Sequence, residues 1–189
     1  DRDRGIFHVR VSNKVPYNTK NSLADAIGVP AQKIVIHVST IGGDFGGKGA
    51  LMDLPLCYFL AQRLNRPVRM IMTYTEELTA ANPRHAAQIV VKTGLKKDGR
   101  ITARQIKVYW NGGAYADIGP RVAQKSGFTA AGPYDIENVR IDSYAIYTNS
   151  VPCGHFRSPG LVQLAFAGES QIDMIAAAMK IDPLDLRLR

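Results

Sequence analysis

Cysteine is scarce in this chain. Only Cys57 and Cys153 occur among 189 residues, far apart and each without a cysteine or histidine partner at metal-ligand spacing. That excludes a disulfide framework and any local metal-binding motif. Cys57 lies in Leu54-Pro-Leu-Cys-Tyr-Phe-Leu60, where it reads as a small core hydrophobe. Two unpaired thiols suit a reducing compartment, so a cytoplasmic location is the expectation. No apolar run approaches the roughly 18 residues needed to cross a bilayer. The opening residues Asp1-Arg-Asp-Arg-Gly-Ile-Phe-His8 lack the apolar core of a secretory signal, so no membrane association is expected. Initiator methionine is missing too, and the chain is read as beginning inside a longer one. Internal repeats and low-complexity tracts are lacking as well.

Charge is unbalanced but nowhere concentrated. The formal net charge is +8, yet lysine and arginine are scattered, with no run beyond pairs such as Lys96-Lys97. Nucleic-acid binding calls for a basic stripe or cluster, so no nucleic-acid partner is expected. What is present is ordinary globular composition: 46% hydrophobic and 21% charged residues, enough to build a real core. The length fits one domain or two small, intimately packed ones, and a single domain, 1–189, is the expectation.

Hydrophobic patterning predicts alternating helices and strands. A short helix is expected over 21–27, capped by Asn21 or Ser22 and stopped by Gly28. The β-branched run 33–39 reads as a buried strand, and 50–64 as a helix interrupted near Pro55. Pro67 precedes an expected strand at 68–74. Two strands, 87–95 and 101–110, flank a polar turn carrying Asp98-Gly99. Gly112-Gly-Ala-Tyr115 is expected to break the second. Further elements are a helix near 121–128, a strand at 139–147, an amphipathic helix at 161–179 and a final turn capped by Asp182-Pro183. The long hairpin among helices favours an α+β class with a mixed sheet over a regular doubly wound one.

Chemistry concentrates in two glycine loops. Gly42 to Lys48 fits the G-x-x-x-x-G-K part of a phosphate-binding loop, between a strand and a helix. Backbone amides in such a turn form an anion cradle. Gly49, however, stands where that motif needs Ser or Thr for magnesium. Phe45, between two glycine pairs, is either a ring presented to a ligand or a plug against the core. The glycines themselves either admit a ligand to bare backbone or only permit a tight turn. The second loop, 148–160, carries Arg157 just before a helix N-terminus, where a guanidinium would complete an oxyanion site. Arg157 also reads as a solvated loop residue, and His155 as a base or an ordinary polar residue. Glu169 and Asp173, at i and i+4, read as a solvated stripe.

Four ordered blocks resemble the xanthine oxidase and aldehyde oxidoreductase family of molybdenum hydroxylases. They are Gly42-Gly-Asp-Phe-Gly-Gly-Lys48, Gly112-Gly-Ala-Tyr-Ala116, His155-Phe-Arg-Ser-Pro-Gly160 with Gln163, and the stretch from Phe166 to Ala176 with Asp182-Pro-Leu-Asp-Leu-Arg187. The resemblance runs from about Lys33 to the end. It implies a molybdopterin cofactor, in some members a cytosine dinucleotide, holding molybdenum through a dithiolene while the protein supplies no metal ligand. Gly43, Asp44, Phe45, Gly46 and Gly47 would bind the cofactor from one side, partly through backbone amides. Phe156, Arg157 and Ser158 would line the other. Gly49, Lys125, His155 and Pro159 would border the substrate.

The implied reaction is hydroxylation of an aldehyde or aromatic heterocycle with oxygen from water. Electrons would leave through [2Fe-2S] and FAD modules, in a dimer of heteromers. Gly49 replaces the glutamate of purine-oxidising members and Pro159 their stacking phenylalanine, so purine is not the expected substrate. Lys125 suggests an anionic one. The family's general-base glutamate belongs beyond Arg189, so the chain is expected to be a domain fragment, inactive alone, with no catalytic residue of its own. A phosphate-loop nucleotide module and a non-catalytic assembly domain are the alternatives.

Overall fold

Parallel pairing of two short strands begins the structure, a computed structural model that describes Asp1 and residues 3–188. The chain divides into two compact units, Asp1–Pro83 and Arg84–Arg189. In the first, β1 (Phe7–Val11) pairs in parallel with β2 (Ile34–Val38), with Val9 opposite Ile36. The connecting helix α1 (Pro16–Ile27) buries Leu23, Ala24 and Ile27 against Val9 and Ile34. Residues 39–53 have no regular helix or strand, and α2 (Leu54–Leu64) follows. Leu51, Leu54 and Tyr58 join the same core, and the Tyr58 ring meets Phe7 edge-on at 4.9 Å. A short helix, α3 (Tyr74–Ala80), follows them in this unit.

Several expectations for this unit need correction. Helix α1 starts at Pro16, not at Asn21 or Ser22. Proline at the first turn has its φ already set and its missing N–H costs nothing there. Buried Asn13 accepts the Val15 N–H at 2.7 Å and fixes the entry. Gly28 ends the helix as expected, at φ +68°. Strand β1 was not foreseen, and β2 is only partly buried, Ile34 alone being fully enclosed. The strand expected over 68–74 does not form. Strand propensity needs a partner edge, and none among the described residues pairs with it. Met70 and Ile71 are exposed instead. Tyr74 is drawn into α3 by a capping box: Thr73 Oγ1 accepts the Glu76 N–H at 3.3 Å, and Glu76 Oε2 accepts the Thr73 N–H at 2.7 Å.

The second unit is built on a mixed three-stranded sheet in the order β3-β4-β5. Strands β3 (Ala87–Leu95) and β4 (Ile101–Gly113) form the expected antiparallel hairpin, and β5 (Asn138–Tyr147) runs parallel to β4. Every second residue of β4, Ile106, Val108 and Trp110, faces a core closed by helices α4 (Gly119–Thr129) and α5 (Leu161–Met179). Trp110 is completely enclosed. Its Nε1–H donates to Ser143 Oγ at 3.1 Å, and that hydroxyl donates to the Ala123 carbonyl at 2.8 Å, tying β4, β5 and α4 together. Helix α6 (Pro183–Arg187) packs Leu186 against Ile172 and Ala176 of α5. Asp182 caps α6 as expected, accepting the N–H groups of Leu184 and Asp185.

Two readings change here as well. Gly112 and Gly113 do not break β4: the strand runs through them with a register shift between Asn111 and Gly113. Glu169 and Asp173 are not a free solvated stripe. Arg187 reaches both carboxylates at 2.9 Å, and the Tyr134 hydroxyl donates to Glu169 at 2.7 Å. The like charges at i and i+4 thus share one cation from α6. The α+β class and the mixed sheet are as expected.

Candidate functional site

The loop between β2 and α2 is organised by its own carboxylate. Asp44 Oδ1 accepts the N–H of Gly46 at 2.8 Å and of Lys48 at 3.3 Å, while Oδ2 pairs with Lys14 at 3.3 Å. The Gly46 bond foremost, against a desolvation cost, and then the Lys48 bond and Lys14 hold the Asp44 carboxyl below the usual carboxylate range. Gly46 is buried with φ +133°, a backbone open to glycine. Phe45 is 59% exposed, and its ring lies over Gly43, whose added Cβ would meet Cε2 at 3.3 Å. Phe45 is therefore a presented ring rather than a core plug. The loop is pinned to the start of α1 by the Lys14 N–H on the Lys48 carbonyl (3.0 Å), and Gly49 packs against Lys14 and Val15. No acceptor among the described residues meets the N–H groups of Phe45 and Gly47. Gly42, Gly43 and Gly47 are exposed. An oxygen-bearing ligand thus finds two free amides on bare backbone.

In the second unit, the glycine pair of β4 anchors the 148–160 loop. Gly113 O accepts from Thr148, the Ala114 N–H reaches Ser150 O, and Gly112 O accepts from Cys153, all within 3.0–3.1 Å. Asn111 Oδ1 accepts from the Gly113 N–H at 2.9 Å and from the Thr148 hydroxyl at 2.6 Å. Beyond buried Cys153, whose thiol is pushed up by burial, the four consecutive residues His155, Phe156, Arg157 and Ser158 are exposed. Pro159 is half-buried, and Gly160 enters α5 at φ +78° directly against Ser126 of α4. Lys125, beside Ser126 on α4, is exposed.

Two residues that sequence reasoning missed lie here: Arg84 holds this loop, and His85 is tied to the start of α5. Arg84 Nη2 donates to the Arg157 carbonyl at 2.9 Å, and its Cζ lies 4.4 Å from the Phe156 ring centre. His85 is 2% exposed, and desolvation foremost, aided by His155 and opposed by Asp117, pushes its pKa below the ordinary value. Gln163 Nε2 donates to the His85 carbonyl at 2.7 Å. No local signal links residue 84 to 157; only the fold brings them together. An open groove lined by Lys92, Arg104, Glu137 and Arg140 lies toward the other end of β4 and contains none of the predicted residues.

The whole chain, residues 1–189, matches the family described as the molybdopterin cofactor-binding domain. The chain belongs to this family. It is 35% identical over 186 residues to the nicotinate dehydrogenase large molybdopterin subunit of Eubacterium barkeri, covering 98% of this chain and 44% of that protein. Identity is 37% over 185 residues to a probable xanthine dehydrogenase subunit of Bacillus subtilis, covering 98% and 25%. Among solved structures, the aldehyde oxidoreductase of Desulfovibrio gigas matches with a TM-score of 0.91 at 26% identity, over 98% of this chain and 20% of that one. The chain thus spans less than half the length of these relatives. It is a molybdopterin-binding domain of the xanthine dehydrogenase and aldehyde oxidoreductase family, as its motifs imply, and not a nucleotide-binding phosphate loop. Asp44 supplies a physical reason. Its carboxylate already occupies two amides that a phosphate would need and brings negative charge into the cradle.

The residues fit the cofactor the family is named for. In the first unit, free amides at Phe45 and Gly47 with an exposed ring beside them suit an anionic oxygen; in the second unit, taken by itself, so does the exposed guanidinium of Arg157. Among the described residues no cluster of three or more His, Cys, Asp or Glu side chains could hold a metal ion.

Proposed function

We propose that the protein containing this chain is a molybdenum hydroxylase that oxidises an aldehyde or an aromatic heterocycle with oxygen taken from water. The reading rests chiefly on the free, glycine-bared amides of the 42–48 loop in a chain of this family. Both units belong to one cofactor-binding domain, 1–189. Phe45 and Gly47 donate backbone N–H groups to the molybdopterin, and Gly43 and Gly46 keep side chains out of its way. Asp44 holds the loop's shape, since its oxygens are engaged within the loop and with Lys14. Phe156, Arg157 and Ser158 form a second set of cofactor contacts, with Arg157 pairing an anionic oxygen. When bound, the molybdopterin would supply the two-electron redox chemistry by which a water-derived oxygen is added to carbon.

Gly49, Lys125, His155 and Pro159 border the substrate. Gly49 leaves no carboxylate at its position and Pro159 no stacking ring, which disfavours purines. Exposed Lys125 favours an anionic substrate, and the Eubacterium relative's nicotinate is an aromatic heterocycle carrying a carboxylate. The general base comes from outside this chain, so the 189-residue piece is inactive alone. The cofactor is the cytosine dinucleotide form, electrons leave through [2Fe-2S] and FAD modules, and the assembly is a cytoplasmic dimer of heteromers.

The test is molybdenum and pterin analysis of the full-length protein from a host that makes the cofactor. Molybdenum near one atom per subunit, with a fluorescent oxidised pterin, supports the reading. Their absence from folded protein overturns it.

A further inference from the structure

Arg84 is a cation that the second unit uses but does not satisfy. Its Nη2 is committed to the Arg157 carbonyl at 2.9 Å, and its plane lies over Phe156 at 4.4 Å. Its other terminal nitrogen, Nη1, is buried and has no hydrogen-bond partner among the described residues. Nor does any described carboxylate pair with it. A guanidinium N–H removed from water without an acceptor is costly, and more so without a counter-charge. Two other buried polar atoms close by share the condition: His85 Nε2, on the adjacent residue, and Gln163 Oε1, whose amide nitrogen is bound to His85. Orphaned buried polar atoms in a native fold call for a bound water, ion or ligand. An apolar group could not answer Nη1, whereas an anionic oxygen supplies the acceptor and the missing charge together.

We infer that Arg84 is a cofactor-positioning residue: it fastens the 156–158 loop with one nitrogen and offers the other to an anionic oxygen of the bound molybdopterin. This rests on the function proposed above. Arginine suits the dual task because its fork presents donors in two fixed directions, which lysine cannot do. Phe156 contributes its ring, 4.4 Å from Arg84 Cζ, which helps keep the guanidinium, and with it the buried Nη1, in place.

The experiment compares full-length wild type, Arg84→Gln and Arg84→Lys, each purified from a cofactor-producing host and from one unable to make it. Molybdenum and pterin content are measured, and so is the rise in melting temperature on cofactor loading. A ligand contact adds to stability only when the ligand is bound. Arg84→Gln is therefore expected to lose most of that rise and to retain at least tenfold less pterin, and Arg84→Lys to recover only part of each. If Arg84 only braces the loop, both forms of Arg84→Gln melt lower by the same amount. The loading increment and pterin content then match wild type, and the inference is overturned. Wild type without pterin and without any increment would instead sink the proposed function itself.

Discussion

Replacing Gly113 by alanine should damage the protein far more than one methyl group suggests. Gly113 has φ +79°, where an L-residue is strained by about 1–2 kcal/mol. An added Cβ would lie 2.5 Å from the Val151 carbonyl oxygen and 2.6 and 2.8 Å from Cα and N of Pro152. All three are backbone atoms, so no side chain can rotate away. Relief requires moving the 148–153 segment, which the bonds from Thr148 to Gly113, Ala114 to Ser150 and Cys153 to Gly112 tie to β4. Losing two or three of these at about 1 kcal/mol each, with the strain, gives a cost of roughly 3–5 kcal/mol. That is a large share of the ~5–15 kcal/mol that stabilises a typical domain. Hydrogen exchange in the full-length protein, read at the amides of Val108 and Trp110, should show protection falling by about two to four orders of magnitude. Gly94→Ala is the control, since its nearest neighbour would be 3.6 Å away in ordinary contact and its effect should be near zero. Equal protection in Gly113→Ala and Gly94→Ala would refute the reasoning.

Three further outcomes can be checked. Trp110→Ala, which empties the best-enclosed site of the second unit, should cost about 3–5 kcal/mol by denaturant unfolding, and Trp110→Phe clearly less. Asp44 has a depressed carboxyl, so its hold on the loop is complete above the ordinary 3.8 and is lost as pH falls through the lower folded value. Protection of the Gly46 and Lys48 amides should therefore persist at pH 5 and fall only below 3.8, whereas Asp44→Asn should be under-protected at both. Buried His85 has its pKa pushed below the ordinary 6.5, so the unfolded chain takes up the proton first and stability declines as pH drops below that value. Thermal melts between pH 7 and 5 should show this decline in wild type and a flatter profile in His85→Gln; parallel profiles would count against a buried neutral imidazole.

What could be read from the sequence was whatever local chemistry decides. The hairpin of β3 and β4, helix α5 and the Asp182 cap are set by turn residues, helical periodicity and a side-chain oxygen, all within a few positions of where they act. The 68–74 stretch failed because β-branched residues make a strand only where a partner strand pairs with them, and among the described residues none does. Strand β1 went unseen for the opposite reason. A five-residue strand is stabilised by parallel pairing with residues 27 positions later and by a helix laid over both.

The candidate site divides along the same line, and the division explains how it works. Glycine patterns announced both loops, because bare backbone is a local property. The groups that fix the loops' shapes are invisible at that range: Lys14 on Asp44 lies 30 residues away, and Arg84 on the Arg157 carbonyl lies 73 away. A glycine-rich loop alone is a poor receptor, since backbone freedom must be removed before its amides converge on anything. Here each loop is set by a charged side chain acting on its backbone: its own Asp44, steadied by distant Lys14, in the first unit, and distant Arg84, beside Phe156, in the second. The motifs therefore mark where a ligand can approach, and the long-range ion contacts decide whether the loops are already shaped when it arrives.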